Sequence, residues 1–206
     1  LKVVNVDPPV FCIDRFFDDS SCETYANLGV NGESTGDSIK INSATFGGSL
    51  TGSNRQSTTW FVKYSKCETL IKKALALLPE ISVEQMEEPQ IVRYEMGDFF
   101  NWHEDAVPKE EAANGGQRLA TLLVYLNDVP ASGGGMTTFK ELDLKVRPEK
   151  GKALLFFPAF KDGTPDPRTL HAGSPAFDTK WIAQMWIHER PYKPAVPPGT
   201  SQEDVK

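Results

Sequence analysis

Past Pro89 the chain is cut by Gly and Pro clusters into short apolar segments: Gln90 to Glu95, Leu119 to Leu126, Lys152 to Phe157 and Trp181 to His188. Segments of this length between turn residues fit strands, since a helix with a comparable apolar face runs longer. Upstream the signal is helical. Ser65 and Glu68 stand at capping-box spacing ahead of Leu70, Ile71, Ala74, Leu75 and Leu78, which recur on one helical face, and Pro79 ends that helix. Ser20 and Glu23 open a weaker pattern of the same kind, with Tyr25 and Leu28 behind it. Helices followed by many short strands predict an α+β chain whose body is a β-sandwich or barrel. The expected architecture is a double-stranded β-helix (jelly-roll) core with N-terminal supporting helices, because it holds a site between two facing sheets.

The 206 residues suffice for one domain with a substantial core. We place that domain at residues 1–190 and read residues 191–206 as a Pro-rich tail. The net charge of -6 argues against a surface that grips nucleic-acid phosphates and favours polypeptide or small-molecule partners. No apolar run approaches the roughly 20 residues that cross a bilayer, so the domain is expected to stand outside the membrane. The chain begins at Leu1, which leaves room for an N-terminal signal peptide or membrane anchor removed upstream. Cys12, Cys22 and Cys67 lack metal-ligand spacing; one disulfide or three buried thiols both suit them. Ser43 to Thr59, dominated by Gly, Ser, Thr and Asn, reads as a surface connection or a lid. A second polar loop, Ala106 to Gln117, is expected to close with it over bound substrate.

Three histidines occur in the chain: His103, His171 and His188. In extended backbone His103 and Asp105, one residue apart, leave the same face. With His171, 66 residues beyond Asp105, they supply two imidazoles and a carboxylate. That set caps one face of an octahedral iron and leaves three positions open, whereas a structural zinc site wants four protein ligands. Taken alone, an H-x-D pair with a distant His is a weak signal.

The surrounding text is specific. YEMGDFFNWHED (Tyr94 to Asp105), RLATLLVYLNDVPASGGGMTTF (Arg118 to Phe139), VRPEKGKALLFF (from Val146) and HAGSPAFDTKWIAQMWIHE (from His171) follow one another in this order. Together these blocks resemble the prolyl 4-hydroxylase family of Fe(II)/2-oxoglutarate-dependent dioxygenases, over about 95 residues. The resemblance implies that His103, Asp105 and His171 bind Fe(II). It implies that Lys180 pairs with the 5-carboxylate of 2-oxoglutarate, which Tyr94 also reaches. Arg118, Trp186, His188 and Glu87 would line the groove for a Pro-rich polypeptide. O2 and 2-oxoglutarate would be cosubstrates, ascorbate would keep the iron reduced, and the secretory pathway (endoplasmic reticulum), or else the cytoplasm, would be the setting.

The residues give independent support for Lys180. In a strand, Lys180, Ile182, Gln184, Trp186 and His188 share one face, an odd set for a plain core strand. Two departures from the family pattern stand out. Lys180 follows His171 by nine residues rather than the usual ten, and Phe100 stands where many members carry Tyr. The expected activity is oxidation of peptidyl proline to 4-hydroxyproline with release of succinate and CO2. Competing readings are a relative acting on another residue or a small molecule, and a non-catalytic jelly-roll binding module.

Overall fold

A computed structural model describes residues 1–42 and 54–194. Its strands are β1 (Lys2–Asn5), β2 (Val10–Ile13), β3 (Ser38–Asn42), β4 (Arg55–Gln56), β5 (Thr58–Val62), β6 (Gln90–Tyr94), β7 (Phe99–His103), β8 (Arg118–Tyr125), β9 (Thr137–Phe139), β10 (Leu144–Val146), β11 (Ala153–Phe156), β12 (His171–Gly173) and β13 (Lys180–His188). The helices are α1 (Asp19–Val30), α2 (Gly32–Thr35) and α3 (Glu68–Leu77). One sheet runs β1-β2-β11-β8-β13-β6-β5-β3 and the smaller one β10-β9-β12-β7-β4. The two face each other as the expected jelly roll.

Strand alternation divides the apolar residues between two cores. On the outer face of the large sheet, Ala183, Met185 and Ile187 of β13 join Ile91, Leu122 and Val124 beneath the helices, meeting Tyr25, Leu70, Ile71 and Ala74. On the inner face Val92, Tyr94, Leu123, Tyr125, Leu154 and Ile182 meet Phe139 and Val146 of the small sheet. α1 lies hard against the sheet because Gly29 has no side chain: a Cβ there would stand 2.8 Å from the Trp181 ring.

The first half of the chain is less helical than its sequence suggests. β1 and β2 extend the large sheet beside β11, and β5 and β3 extend it beyond β6. The helix starts differ too. α1 is capped by Asp18, whose carboxylate accepts the Ser21 N–H at 2.7 Å, two residues before the expected Ser20 start. Ser65 falls in a 3-10 turn, Tyr64–Lys66, ahead of α3. No capping box forms there: the N-cap of α3 falls two residues later, at Cys67, and the N–H at the helix's third position, that of Leu70, donates to the Tyr25 hydroxyl at 2.9 Å. A capping box does form at Ser82 and Gln85.

Residues 43–53 of the expected first lid lie outside the described residues, as do 195–206 of the tail. The remainder of that lid is not a loop: it forms β4 and the start of β5, with Arg55, Ser57 and Thr59 buried. Ala106 to Gln117 is pinned at its far end, where the buried Gln117 amide bonds both the N–H and the carbonyl of Val107. Cys12, Cys22 and Cys67 are all buried free thiols. Among the described residues no helix is long and apolar enough to cross a membrane.

Candidate active site

β7 and β12 are neighbours in the small sheet, and their pairing sets His103 directly opposite His171. Asp105 lies just past the end of β7 and reaches the other sheet, where the Thr121 hydroxyl of β8 donates to its Oδ2 at 2.7 Å. The three side chains converge: one ligand atom from each falls within 4.8 Å of the others. His103 Nε2 is 3.6 Å from Asp105 Oδ1 and His171 Nε2 is 3.7 Å from Oδ2.

The donor chemistry fits a divalent metal. His103 donates its Nδ1 proton to the Asn101 carbonyl at 2.7 Å, and His171 donates its own to the Thr169 carbonyl at 3.0 Å. Both Nε2 lone pairs are thereby turned into the cavity, the arrangement in which imidazole binds metal. Burial and the neighbouring His171 hold the His103 imidazole well below its ordinary range, so the ring is neutral. For Asp105, burial alone would raise the carboxyl. His171, His103, Arg118 and the Thr121 hydroxyl outweigh it, and the group stays ionised below the usual carboxylate range. Neutral imidazoles and an ionised carboxylate are the forms a metal requires. Phe139 and Phe156 wall in His171, with ring centres 5.5 and 4.8 Å away.

The floor of the cavity is the inner face of the large sheet. Lys180, Ile182, Gln184 and Trp186 of β13 line it, with Thr121 and Leu123 of β8 and Tyr94 of β6. Lys180 is paired with Tyr94 in register and is 2% exposed. Its ammonium donates to the Gly135 carbonyl at 2.7 Å and lies 5.1 Å from the Tyr94 ring centre. No carboxylate among the described residues forms an ion pair with it, and burial pushes its pKa down to about 7. A buried ammonium without a counter-ion is costly. It marks the place where an anion belongs.

A second cation enters here that the sequence reading missed. Arg55 of β4 is paired with Phe100 in register; its guanidinium lies 4.8 Å from the Phe100 ring centre and faces the Tyr94 hydroxyl. Ser57 and Thr59 accept its N–H groups at 2.9 and 3.1 Å. Phe100 in turn stacks on the His103 ring at 3.5 Å.

At the other end of the cavity Glu87, Arg118, Trp186 and His188 form one cluster. Arg118 donates to both Glu87 oxygens at 2.6 and 3.1 Å and to the Asp105 carbonyl at 3.1 Å. Its guanidinium stacks over Trp186 at 4.1 Å. His188 bridges Glu87, at 2.6 Å, and the Gly116 carbonyl, at 3.2 Å. Burial would raise the Glu87 carboxyl, but Arg118 and His188 more than offset it and hold it below the usual range. Trp186 is buried, yet its indole N–H has no hydrogen-bond partner among the described residues. A roomier cleft, about 430 Å³, opens on the far side of the large sheet between Leu78, Ile81, Phe157 and Phe160. Among the described residues the metal-binding cluster, His103, Asp105 and His171, lies in the smaller cavity instead.

Every residue singled out for the site thus lies in this one cavity or in the cluster at its mouth. A family model described as the 2OG-Fe(II) oxygenase superfamily matches residues 89–188, the span that carries both. The solved structure of a viral collagen prolyl hydroxylase from Paramecium Bursaria Chlorella virus-1, a 2OG complex, is similar with a TM-score of 0.70. The two are 28% identical, and the match covers 86% of this chain and 94% of that one. Fold and ligand set therefore define an oxygenase domain of the 2OG-Fe(II) class. Prolyl 4-hydroxylase 5 of Arabidopsis thaliana is 30% identical over 214 residues, 94% of this chain and 72% of the relative. Prolyl 4-hydroxylase subunit alpha-1 of Caenorhabditis elegans is 32% identical over 142 residues, 66% of this chain and 25% of that subunit. The chain belongs to the prolyl 4-hydroxylase family.

Proposed function

We propose that this chain hydroxylates peptidyl proline at C4, consuming 2-oxoglutarate and O2 and releasing succinate and CO2. The observation that carries the reading is Lys180, a buried cation lacking a carboxylate partner, in the same cavity as His103, Asp105 and His171. A dicarboxylate with a keto group beside one carboxylate would suit both ends, the keto acid toward the His103, Asp105 and His171 set and the far carboxylate toward the Lys180 ammonium. His103, Asp105 and His171 would hold Fe(II), whose role when bound is to activate O2 so that decarboxylation of 2-oxoglutarate drives oxidation of a C–H bond. Thr121 orients the Asp105 carboxylate, and Tyr94 adds a hydroxyl beside Lys180. Ascorbate is proposed as the reductant that restores iron oxidised without substrate.

The mouth supports a peptide substrate. Trp186 offers a buried N–H with no acceptor, and a peptide carbonyl supplies one. Arg118 is held flat on Trp186 by Glu87 and by the backbone of Asp105, so a bound peptide and the metal ligand share one support. Pro-rich peptides suit such a groove because their polyproline II form is already extended and loses little entropy on docking. The test is turnover on a panel of Pro-rich peptides, following succinate and one added oxygen per modified proline. Oxidation of a lysine-containing peptide or a free amino acid instead, with the panel untouched, would keep the oxygenase class and remove the prolyl assignment.

A further inference from the structure

Three of the four residues clustered at the mouth offer a peptide little surface. Glu87 is 7% exposed, Trp186 8% and His188 2%. Trp186 keeps one point of contact, its indole N–H, while Arg118 covers a face of its ring. His188 has both ring nitrogens engaged, by Glu87 and by the Gly116 carbonyl. Its ring is covered by Tyr192, stacked 4.6 Å away between centres with 21° between the planes. Tyr192 itself is only half-buried. It therefore presents an aromatic surface where His188 does not.

That ring is held in place from several sides. Glu189 and Arg190 donate their N–H groups to the Gln117 and Gly115 carbonyls, each at 2.8 Å, and the Tyr192 N–H reaches the Glu84 carbonyl at 2.7 Å. The backbone of Lys193 exchanges two hydrogen bonds with the Asn114 side chain, both 2.8 Å. The Gln85 amide donates to the His188 carbonyl at 2.9 Å. The phenol hydroxyl bonds the buried Glu88. Burial, with the Glu87 and Glu88 carboxylates, pushes that phenol above its ordinary range, so the ring is neutral. An aromatic ring fixed in this way loses little freedom when a ligand docks on it. Apolar pyrrolidine rings in polyproline II dock on aromatic-lined surfaces of this kind.

We propose that Tyr192 is the aromatic subsite for a second proline of the substrate, one flanking the proline that is oxidised; this rests on the prolyl hydroxylase reading above. The experiment uses the full chain with Fe(II), 2-oxoglutarate, O2 and ascorbate, and a short poly-L-proline peptide followed by succinate and added oxygen. Tyr192→Ala and Tyr192→Leu should each raise KM for the peptide roughly 5- to 30-fold. Their kcat at saturating peptide and KM for 2-oxoglutarate should stay within about threefold of the parent. Tyr192→Phe keeps the ring and should hold the peptide KM within about threefold. Leu still covers His188, so a side chain needed only as a cover would be restored by it. Rescue by Leu therefore overturns the subsite, as does an unchanged or lowered peptide KM in Tyr192→Ala. An equal KM rise in Tyr192→Phe overturns it by moving the effect to the hydroxyl. A matching loss of kcat or of 2-oxoglutarate affinity overturns it by marking a role in the fold. In each of these cases the prolyl reading stands, because the parent still oxidises the peptide. No oxygen on poly-L-proline from the parent brings down both.

Discussion

Replacing Lys180 with Met is the sharpest test of how the cavity reads its cosubstrate. Met keeps an unbranched stem between the Tyr94 and Tyr125 rings, which lie 5.1 and 5.7 Å from the ammonium, and deletes only the cation. A hydrogen bond to a charged group contributes about 1.5–3 kcal/mol net. At about 1.4 kcal/mol per decade, the Kd for 2-oxoglutarate should rise roughly 10- to 150-fold. Calorimetry with Fe(II) under argon measures it without turnover.

The same residue sets the pH dependence of binding. In the free protein burial lowers Lys180 to about 7, and the carboxylate binds its protonated form. From pH 6 to pH 8 the protonated fraction falls about tenfold, and affinity in the unsubstituted chain should fall with it. Lys180→Met should be flat over this window. His103 stays neutral and Asp105 ionised throughout this window. Unchanged affinity in Lys180→Met, with no pH slope in the parent, would refute the assignment. Arg55, the other cation beside Tyr94, would then be the anchor.

Asp105→Ala and His171→Ala should each lose iron and turnover together, read by metal stoichiometry after desalting; full occupancy and activity in His171→Ala would end the ligand assignment. Thr121→Val removes the 2.7 Å hydrogen bond that orients Asp105 and should weaken iron binding roughly 10- to 100-fold with the fold intact. Gly115 has φ +77° and a Cβ there would lie 2.6 Å from His188 Nδ1, so Gly115→Ala should cost about 1–3 kcal/mol of stability. It should raise KM for peptide more than KM for 2-oxoglutarate. Because Lys180 is lowered from 10.5 to about 7 on folding, the unfolded chain binds more protons between those values. Stability of the cosubstrate-free protein should therefore rise with pH across that window, and saturating 2-oxoglutarate should flatten the rise; denaturant melts at several pH values would show it.

The parts of the site that were legible in the sequence are those whose spacing matches the strand period. Lys180, Ile182, Gln184 and Trp186 recur every second residue, and the structure sets that whole face on the cavity. Asp105 and His103 are close in sequence and close in space. Arg55 was missed although the same rule covers it: Arg55, Ser57 and Thr59 also alternate, and Arg55 bonds the other two. The signal was lost because all the neighbouring residues are polar, so alternation of burial left no alternation of hydropathy. β4 is also only two residues long, and pairing with β7 in the small sheet, rather than local propensity, makes it a strand. The helix starts failed for a related reason. At α3 the capping pattern falls on a 3-10 turn, and the third N–H of the helix that does form, that of Leu70, is met by Tyr25, 45 residues earlier. A local motif proposes a partner for a backbone group, and the fold selects among all the partners it brings within reach. That selection places Arg55 beside Tyr94. Loss of peptide turnover in Arg55→Ala, with 2-oxoglutarate affinity retained, would assign it to the substrate rather than to the cosubstrate that Lys180 holds.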